Sequence, residues 1–405
     1  MPRVPLADHQ ADVAALLAPL LSSSTVPLDH RALGRVCAED VRAAVDVPSA
    51  DNSQMDGFAL RAEDADALVV GLAVGEPIAA GDAPSALAAA EARPIMTGAP
   101  VPEGTDRIIP VEDTADGRFD VPTVRLRDEA AVGESGRFIR RRGSDTRAGD
   151  TVLRAGQRLT PARIAHLAST GVRGVRVLDP VRTAVLSTGT EVTDPSQPLP
   201  PGAAYDANGP GLAAALADAG AEIVRVGRVP DDPQALHALL AELVADDVRL
   251  LVTSGGVSAG AYEVVKQAAG LPGIDLTFCS VAMQPGGPQG IGSATVGDHR
   301  IAWLAFPGNP VSALVSCELF ARPALGAEAR ARLRLPVRLD VPEASPATLA
   351  QLRRAWILPS GELRLAGGPS SHLLGALAGA DALAIVPVGV DRVDDGDLLE
   401  ASRLG

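Results

Sequence analysis

Apolar positions along this chain follow a helical period at the start, short alternating runs in the middle, and a strand-helix alternation after residue 180. Leu6, Val13, Leu16, Leu17, Leu20 and Leu21 recur at helical spacing and predict an amphipathic helix over 6–21, closed near Pro19 and a run of serines at 22–24. A second helical pattern over 29–37 leads into a short strand over 41–47. Between about 60 and 136 the apolar runs are short and broken by Gly and Pro, which predicts a small β unit inserted into the first one. Residues 137–178 return to the first unit, with a helix over 159–167 whose start carries Thr160-Pro161, a capping hydroxyl followed by a first-turn proline.

From Val181 onward strand and helix patterns alternate, the mark of an open α/β sheet. Strands are predicted over 183–187, 222–226, 249–252, 274–278 and 301–306, with helices over 210–219 and from Pro233 to about 244. The last segment, 327–405, carries short alternating runs at 337–341, 355–358, 363–365, 382–388 and 397–400, and reads as a separate β unit. Four parts follow: a split N-terminal α+β domain (1–47 and 137–178), an inserted β domain (48–136), an α/β domain (179–326) and a C-terminal β domain (327–405). At 405 residues the chain has room for about two to four domains.

The chain is organised around 250–260, where an apolar run breaks into Thr253-Ser254-Gly255-Gly256-Val257-Ser258 and then resumes a helical pattern. A glycine pair after a buried parallel strand lets backbone amides approach an anion, and a following helix N-terminus adds favourable charge. Other polar loops end predicted strands at Glu191, Asp206, Asp231 and Asn309. Open α/β sheets bind ligands outside the carboxyl ends of their strands, so these residues are expected to meet in one pocket.

Charge and cysteine content then exclude several classes. A formal net charge of -14 argues against nucleic acid and anionic membranes as partners, although residues 137–142 form one basic patch. Cys37, Cys279 and Cys317 are odd in number and far apart, which fits neither a disulfide framework nor a zinc site and places the chain in a reducing cytoplasm. Neither a signal-peptide pattern nor an apolar run of membrane-spanning length is present.

Five motifs together resemble one family, the molybdopterin molybdenumtransferases, which include the E domain of gephyrin-type proteins. They are Asp51-Asn52-Ser53-Gln54-Met55-Asp56-Gly57, Met96-Thr97-Gly98-Ala99-Pro100-Val101-Pro102-Glu103-Gly104, Ser187-Thr188-Gly189-Thr190-Glu191, Thr253-Ser254-Gly255-Gly256-Val257-Ser258 and Pro307-Gly308-Asn309-Pro310, all in the family's order. The resemblance implies a multidomain α/β plus β fold: a central α/β molybdopterin-binding domain, the split N-terminal domain with its insert, and a C-terminal β barrel. It implies a homodimer, with a cleft between the α/β domain of one subunit and the insert loop of the other. The activity implied is insertion of molybdenum from molybdate into adenylylated molybdopterin, with release of AMP and help from Mg2+.

Site roles follow from the same resemblance. Glu191 and Asp231 would hold the metal, with Asp56, Thr97 and Glu263 joining them as catalytic residues. Cofactor binding would fall to Thr188, Gly189, Asp206, Ser254, Gly255, Gly256, Ser258, Lys266, Pro307, Asn309 and Pro310. Molybdoenzymes or other proteins of the cofactor pathway are the expected partners. Where the family carries lysines, this chain has neutral Ser280, Gln284 and Gly287, and Lys266 is its single lysine. Two readings result: an active transferase, or a divergent paralogue acting as a scaffold or pterin-binding module.

Overall fold

The fold was taken from a computed structural model, which describes residues 3–83, 86–127, 130, 132–257 and 263–404. Its centre is a seven-stranded sheet built from β1 (Arg3–Val4), β2 (Arg182–Thr188), β3 (Glu222–Val229), β4 (Leu250–Ser254), β5 (Ile274–Val281), β6 (Pro288–Val296) and β7 (His299–Phe306). The spatial order is β1-β5-β6-β7-β4-β2-β3. Strands β7, β4, β2 and β3 run parallel, so four carboxyl ends lie side by side. Every residue of β4 is buried, which accounts for its unbroken apolar run.

Helices cover both faces of this sheet. Leu212 and Leu216 of α2 (Asn208–Asp218) and Val311 of α4 (Pro310–Ser316) pack with Val13 and Leu17 of α1 (Leu6–Leu17) on one side. Leu236, Leu240 and Leu243 of α3 (Pro233–Ala245) pack against Trp303 on the other. Aromatic residues are 2% of the chain, so these cores close with Val, Leu and Ala.

Two sequence expectations fail here. The helical pattern over 29–37 yields only a 3₁₀ turn, His30–Ala32, because Val36 and Cys37 are taken up by bridges to Arg158 and Val177. The strand Pro288–Val296 was not expected; it forms an antiparallel hairpin with β7 through the turn at Gly297, which has a φ of 59°. Pro288 at its start and two glycines within it, Gly290 and Gly292, hide the apolar alternation.

Residues on either side of the insert pair with each other: Ser23–Pro27 with Gly174–Leu178, and Val41–Arg42 with Thr151–Leu153. The insert carries its own five-stranded sheet, centred on Gly57–Leu60 and Glu91–Ile95. Gly57 is obligatory there, since a Cβ would stand 2.2 Å from the Ile109 carbonyl oxygen.

The C-terminal unit is the expected β barrel. Ala350–Ile357 pairs with Ala382–Val386, which pairs with Leu398–Arg403, which pairs with Arg332–Pro336. Closure comes from Val337, bridged to Leu363 on the strand that flanks Ala350–Ile357, with the Arg338 N–H donating to the Leu363 carbonyl at 2.7 Å.

Candidate active site

The parallel strands bring the loops after β7, β4, β2 and β3 into contact. Ser254 lies opposite both Ser187 and Phe306 in the sheet, and the Gly255 N–H donates to the Phe306 carbonyl at 2.9 Å. Gly255 (φ 92°) and Gly189 (φ 127°) take backbone conformations that favour glycine. A Cβ on Gly255 would stand 2.5 Å from Thr188 Oγ1, and one on Gly308 would stand 3.2 Å from the Gly255 Cα. These loops therefore touch backbone to backbone. Thr188 Oγ1 donates to the Ser254 carbonyl at 3.2 Å, and Asn208 Nδ2 to the Gly308 carbonyl at 2.6 Å.

Within this tight arrangement the Ser254 Oγ, Asn208 Oδ1 and Asn309 Oδ1 atoms are buried and have no hydrogen-bond partner among the described residues. Buried polar atoms are paired in the great majority of cases, so orphans clustered on adjacent loops mark a place where a polar ligand belongs.

The acids divide into two kinds. Asp206 is buried and committed: its Oδ1 accepts from Ser187 Oγ and from the Gly209 N–H, both at 2.9 Å. It therefore holds the loop that starts α2. Among the described residues Asp231 Oδ2 accepts only from the Thr190 N–H, at 3.1 Å, which ties the loop after β3 to the loop after β2. The Glu191 carboxylate lies against Gly189, where a Cβ would come within 2.7 Å of it. Neither Glu191 nor Asp231 has an ion-pair partner among the described residues.

Other expected residues lie elsewhere. Asp56 and Thr97 meet in the insert, where the Thr97 N–H and Oγ1 donate to Asp56 Oδ1 at 2.6 and 2.7 Å. These two bonds hold the Asp56 carboxyl below the usual carboxylate range. The pair is exposed, and among the described residues no hydrogen bond joins it to the strand-end loops. Ser258 lies outside the described residues. The first helix described after the glycine loop is Val264–Ala268, and residues 258–262 between them lie outside the described residues. Glu263 precedes that helix, and its carbonyl accepts from the Gln267 N–H. Lys266 donates its N–H to the Gly256 carbonyl at 3.3 Å and sets its Nζ 5.9 Å from the Phe278 ring centre. Pro307 is buried beside Gly308, and Pro310 opens α4.

Sequence reasoning missed Arg353 and Arg354, which are 1% and 0% exposed on Ala350–Ile357. Arg353 bonds Glu343 and, at 3.1 Å, Gln351 Oε1, while Gln351 Nε2 donates to Gln284 Oε1 at 3.1 Å. Arg354 donates to the Gly368 carbonyl and, at 3.1 Å, to the Ser370 carbonyl. Burial, and then the charge of Arg353, depress the Arg354 pKa. Among the described residues both Nε atoms lack partners. The signal was available as two adjacent cations inside a mostly apolar strand.

Comparison with known proteins settles the family. The model of the MoeA N-terminal region (domain I and II) matches residues 4–171, and that of a probable molybdopterin binding domain matches 184–327. Molybdopterin molybdenumtransferase 2 of Mycobacterium tuberculosis is 42% identical, over 97% of this chain and 98% of the relative. The chain belongs to the molybdopterin molybdenumtransferase family. It is an enzyme of molybdenum cofactor biosynthesis. The transferase is also 36% identical to a molybdopterin molybdenumtransferase of Synechococcus elongatus, over 91% of this chain and 92% of that one. The crystal structure of a molybdopterin biosynthesis protein from Pyrococcus horikosii covers 99% of both chains with a TM-score of 0.73 at 27% identity. Among the described residues no helix of the transferase is long and apolar enough to cross a membrane.

Proposed function

We infer that the transferase inserts molybdenum from molybdate into adenylylated molybdopterin and releases AMP, with the strand-end loops holding the pterin and its phosphates. The observation that carries this reading is the trio of orphaned polar atoms on Ser254, Asn208 and Asn309, packed around glycines that let backbone approach a ligand. A scaffold reading offers no reason for that arrangement.

A divalent cation fits the acids present. Among the described residues no group of three His, Cys, Asp or Glu forms a cage. Mg2+ suits such a site, because it keeps most of its waters and takes one or two carboxylates together with substrate phosphates. Glu191 and Asp231 would hold it, and it would neutralise charge on the anhydride being cleaved. The Thr190 N–H would keep Asp231 turned toward that position. Asp206 would position the loop rather than touch ligand, and Glu263 and Lys266 would flank the glycine loop. Asp56 and Thr97 would reach the site from the second subunit of a homodimer, since among the described residues no bond brings them to it within one chain. Arg353 and Arg354 would supply positive charge on the barrel side, where Gln284 has none. A cytoplasmic location, where the pathway's other enzymes would be partners, completes the reading.

The test is complementation of a cell lacking its own transferase. Molybdoenzyme activity should return with this chain. Asp231→Ala should lower it by about two orders of magnitude, the scale of losing one charge stabiliser, while the melting temperature stays within a few degrees. No recovery by well-folded wild-type protein sinks the assignment, and a collapse in melting temperature assigns Asp231 to the scaffold.

A further inference from the structure

A second cavity, of about 490 Å³, lies away from the strand-end loops, between the α/β domain and the C-terminal barrel. Leu314 lines it from α4, Leu377 from the helix Leu374–Ala378, and Leu383 and Leu404 from the barrel. That volume is within the range of small-molecule pockets, about 300 to 1,000 Å³, and so is a mostly apolar lining with few polar groups. Glu318, which borders it, belongs to a π-helical turn, Cys317–Ala321, a distortion frequent at functional sites.

Three charged residues border the cavity, and two are already engaged. Glu318 accepts from Arg330 Nε at 3.0 Å, and Asp381 Oδ2 accepts from the Ile357 N–H at 2.9 Å. Arg403 is different: its guanidinium has no ion pair or hydrogen bond among the described residues. An apolar chamber with one uncommitted cation matches an apolar molecule ending in one carboxylate. The helices α2 and α4 that wall the cavity begin at Asn208 and after Asn309, so an occupant touches elements that also carry the strand-end site.

We propose that this cavity binds a small apolar carboxylic acid, with its tail among Leu314, Leu377, Leu383 and Leu404 and its carboxylate on Arg403. The inference stands apart from the assignment of the strand-end loops, because none of their residues lines the cavity.

The test is calorimetric titration of the full chain with decanoate below its micellar concentration. Saturable binding at one site per chain is expected. Arg403→Ala, an exposed position, should weaken it at least about tenfold, the worth of one charge-assisted contact. Methyl decanoate should bind the wild type no better than decanoate binds Arg403→Ala. Leu314→Trp, which fills the cavity, should abolish binding; Leu377→Trp fills it from another element if the first variant folds poorly. Absence of saturable heat with the wild type overturns the proposal, as does undiminished binding by Arg403→Ala or by a folded cavity-filling variant.

Discussion

At the scale of single residues, Asp56 and Thr97 give the sharpest test of the insert loop. Two donors on one oxygen favour the ionised carboxyl, so Asp56 stays charged to a lower pH than a free aspartate. Its contribution is present above the usual carboxylate range and is lost only as pH falls through the depressed folded value. Thr97→Val removes the hydroxyl donor and leaves the N–H. A carboxyl-carbon NMR titration should then show the Asp56 midpoint rise toward, without reaching, that of a free aspartate. An unmoved midpoint means the hydroxyl bond does not form. The arginines behave differently. Two guanidiniums are buried side by side, and among the described residues Glu343 is the one carboxylate bonded to either, the remaining bonds going to neutral oxygens. Replacing Arg353 alone by Met should therefore cost about 1 to 3 kcal/mol in urea unfolding, because Glu343 and Gln351 lose their partner, whereas changing Arg353 and Glu343 together to apolar residues should cost less. The single variant should bind the adenylylated pterin more weakly if the arginine serves the ligand.

At the scale of elements, much of the central sheet was legible because burial writes itself as apolar runs. The runs at 183–187, 249–252 and 301–306 all mark strands, since parallel strands under helices leave no face for polar residues. Pro288–Val296 was not legible. Its glycines at 290 and 292 sit where Phe278 and the Asp275 backbone crowd it, so the spacing that makes the strand fit is what hides it. The strand-end loops were legible as turn residues, but which acids are free was not. Asp206 and Asp231 look alike in sequence, and what commits Asp206 is the Gly209 N–H three residues on and the Ser187 hydroxyl of a different strand. Helix α1 carries a prediction of its own. His9 is 2% exposed, stacks edge-on against Phe320 at 4.6 Å, and lies 3.7 Å from the Cys279 sulfur. Burial lowers its pKa, with Asp12 opposing, so the neutral ring is the folded form. Stability is then full above about pH 6.5 and falls below it as the unfolded chain takes up a proton, by at most about 1.4 kcal/mol per pH unit. His9→Phe should remove that slope from urea unfolding measured between pH 7 and 5. A slope of the same size in the variant assigns the pH dependence elsewhere.

At the scale of the whole molecule, one carboxylate joins three parts of the chain. Asp218, at the end of α2, receives Arg158 from the split N-terminal unit at 3.1 Å, Arg322 at 2.6 Å, and Arg330 from the connection to the barrel at 3.2 Å. Glu318 takes Arg330 as well, at 3.0 Å, and Arg163 reaches Glu328 on the same connection at 2.8 Å. The connection that leads to Arg353 and Arg354 is thus fixed to both units before it. Partial burial pushes the Asp218 carboxyl up, but bonds from Arg322 and Arg158 and the charges of Arg322 and Arg330 outweigh it, so the group stays below the usual carboxylate range. The joint is therefore intact at neutral pH and is lost only as pH falls through that depressed value. Asp218→Asn leaves Arg322, 7% exposed, without its strongest partner. The expected loss is about 1 to 2 kcal/mol, less than for a fully buried pair because the Asp218 side chain is 41% exposed. Unfolding at low and at high salt reads this directly: the difference between wild type and variant should shrink with salt but not vanish, since exposed pairs are screened and the Arg322 contact is not. Proteolysis should also cut the variant faster between Leu325 and Arg332. If the difference vanishes at high salt and cleavage is unchanged, Asp218 is a surface ion pair and the barrel is held by apolar packing alone.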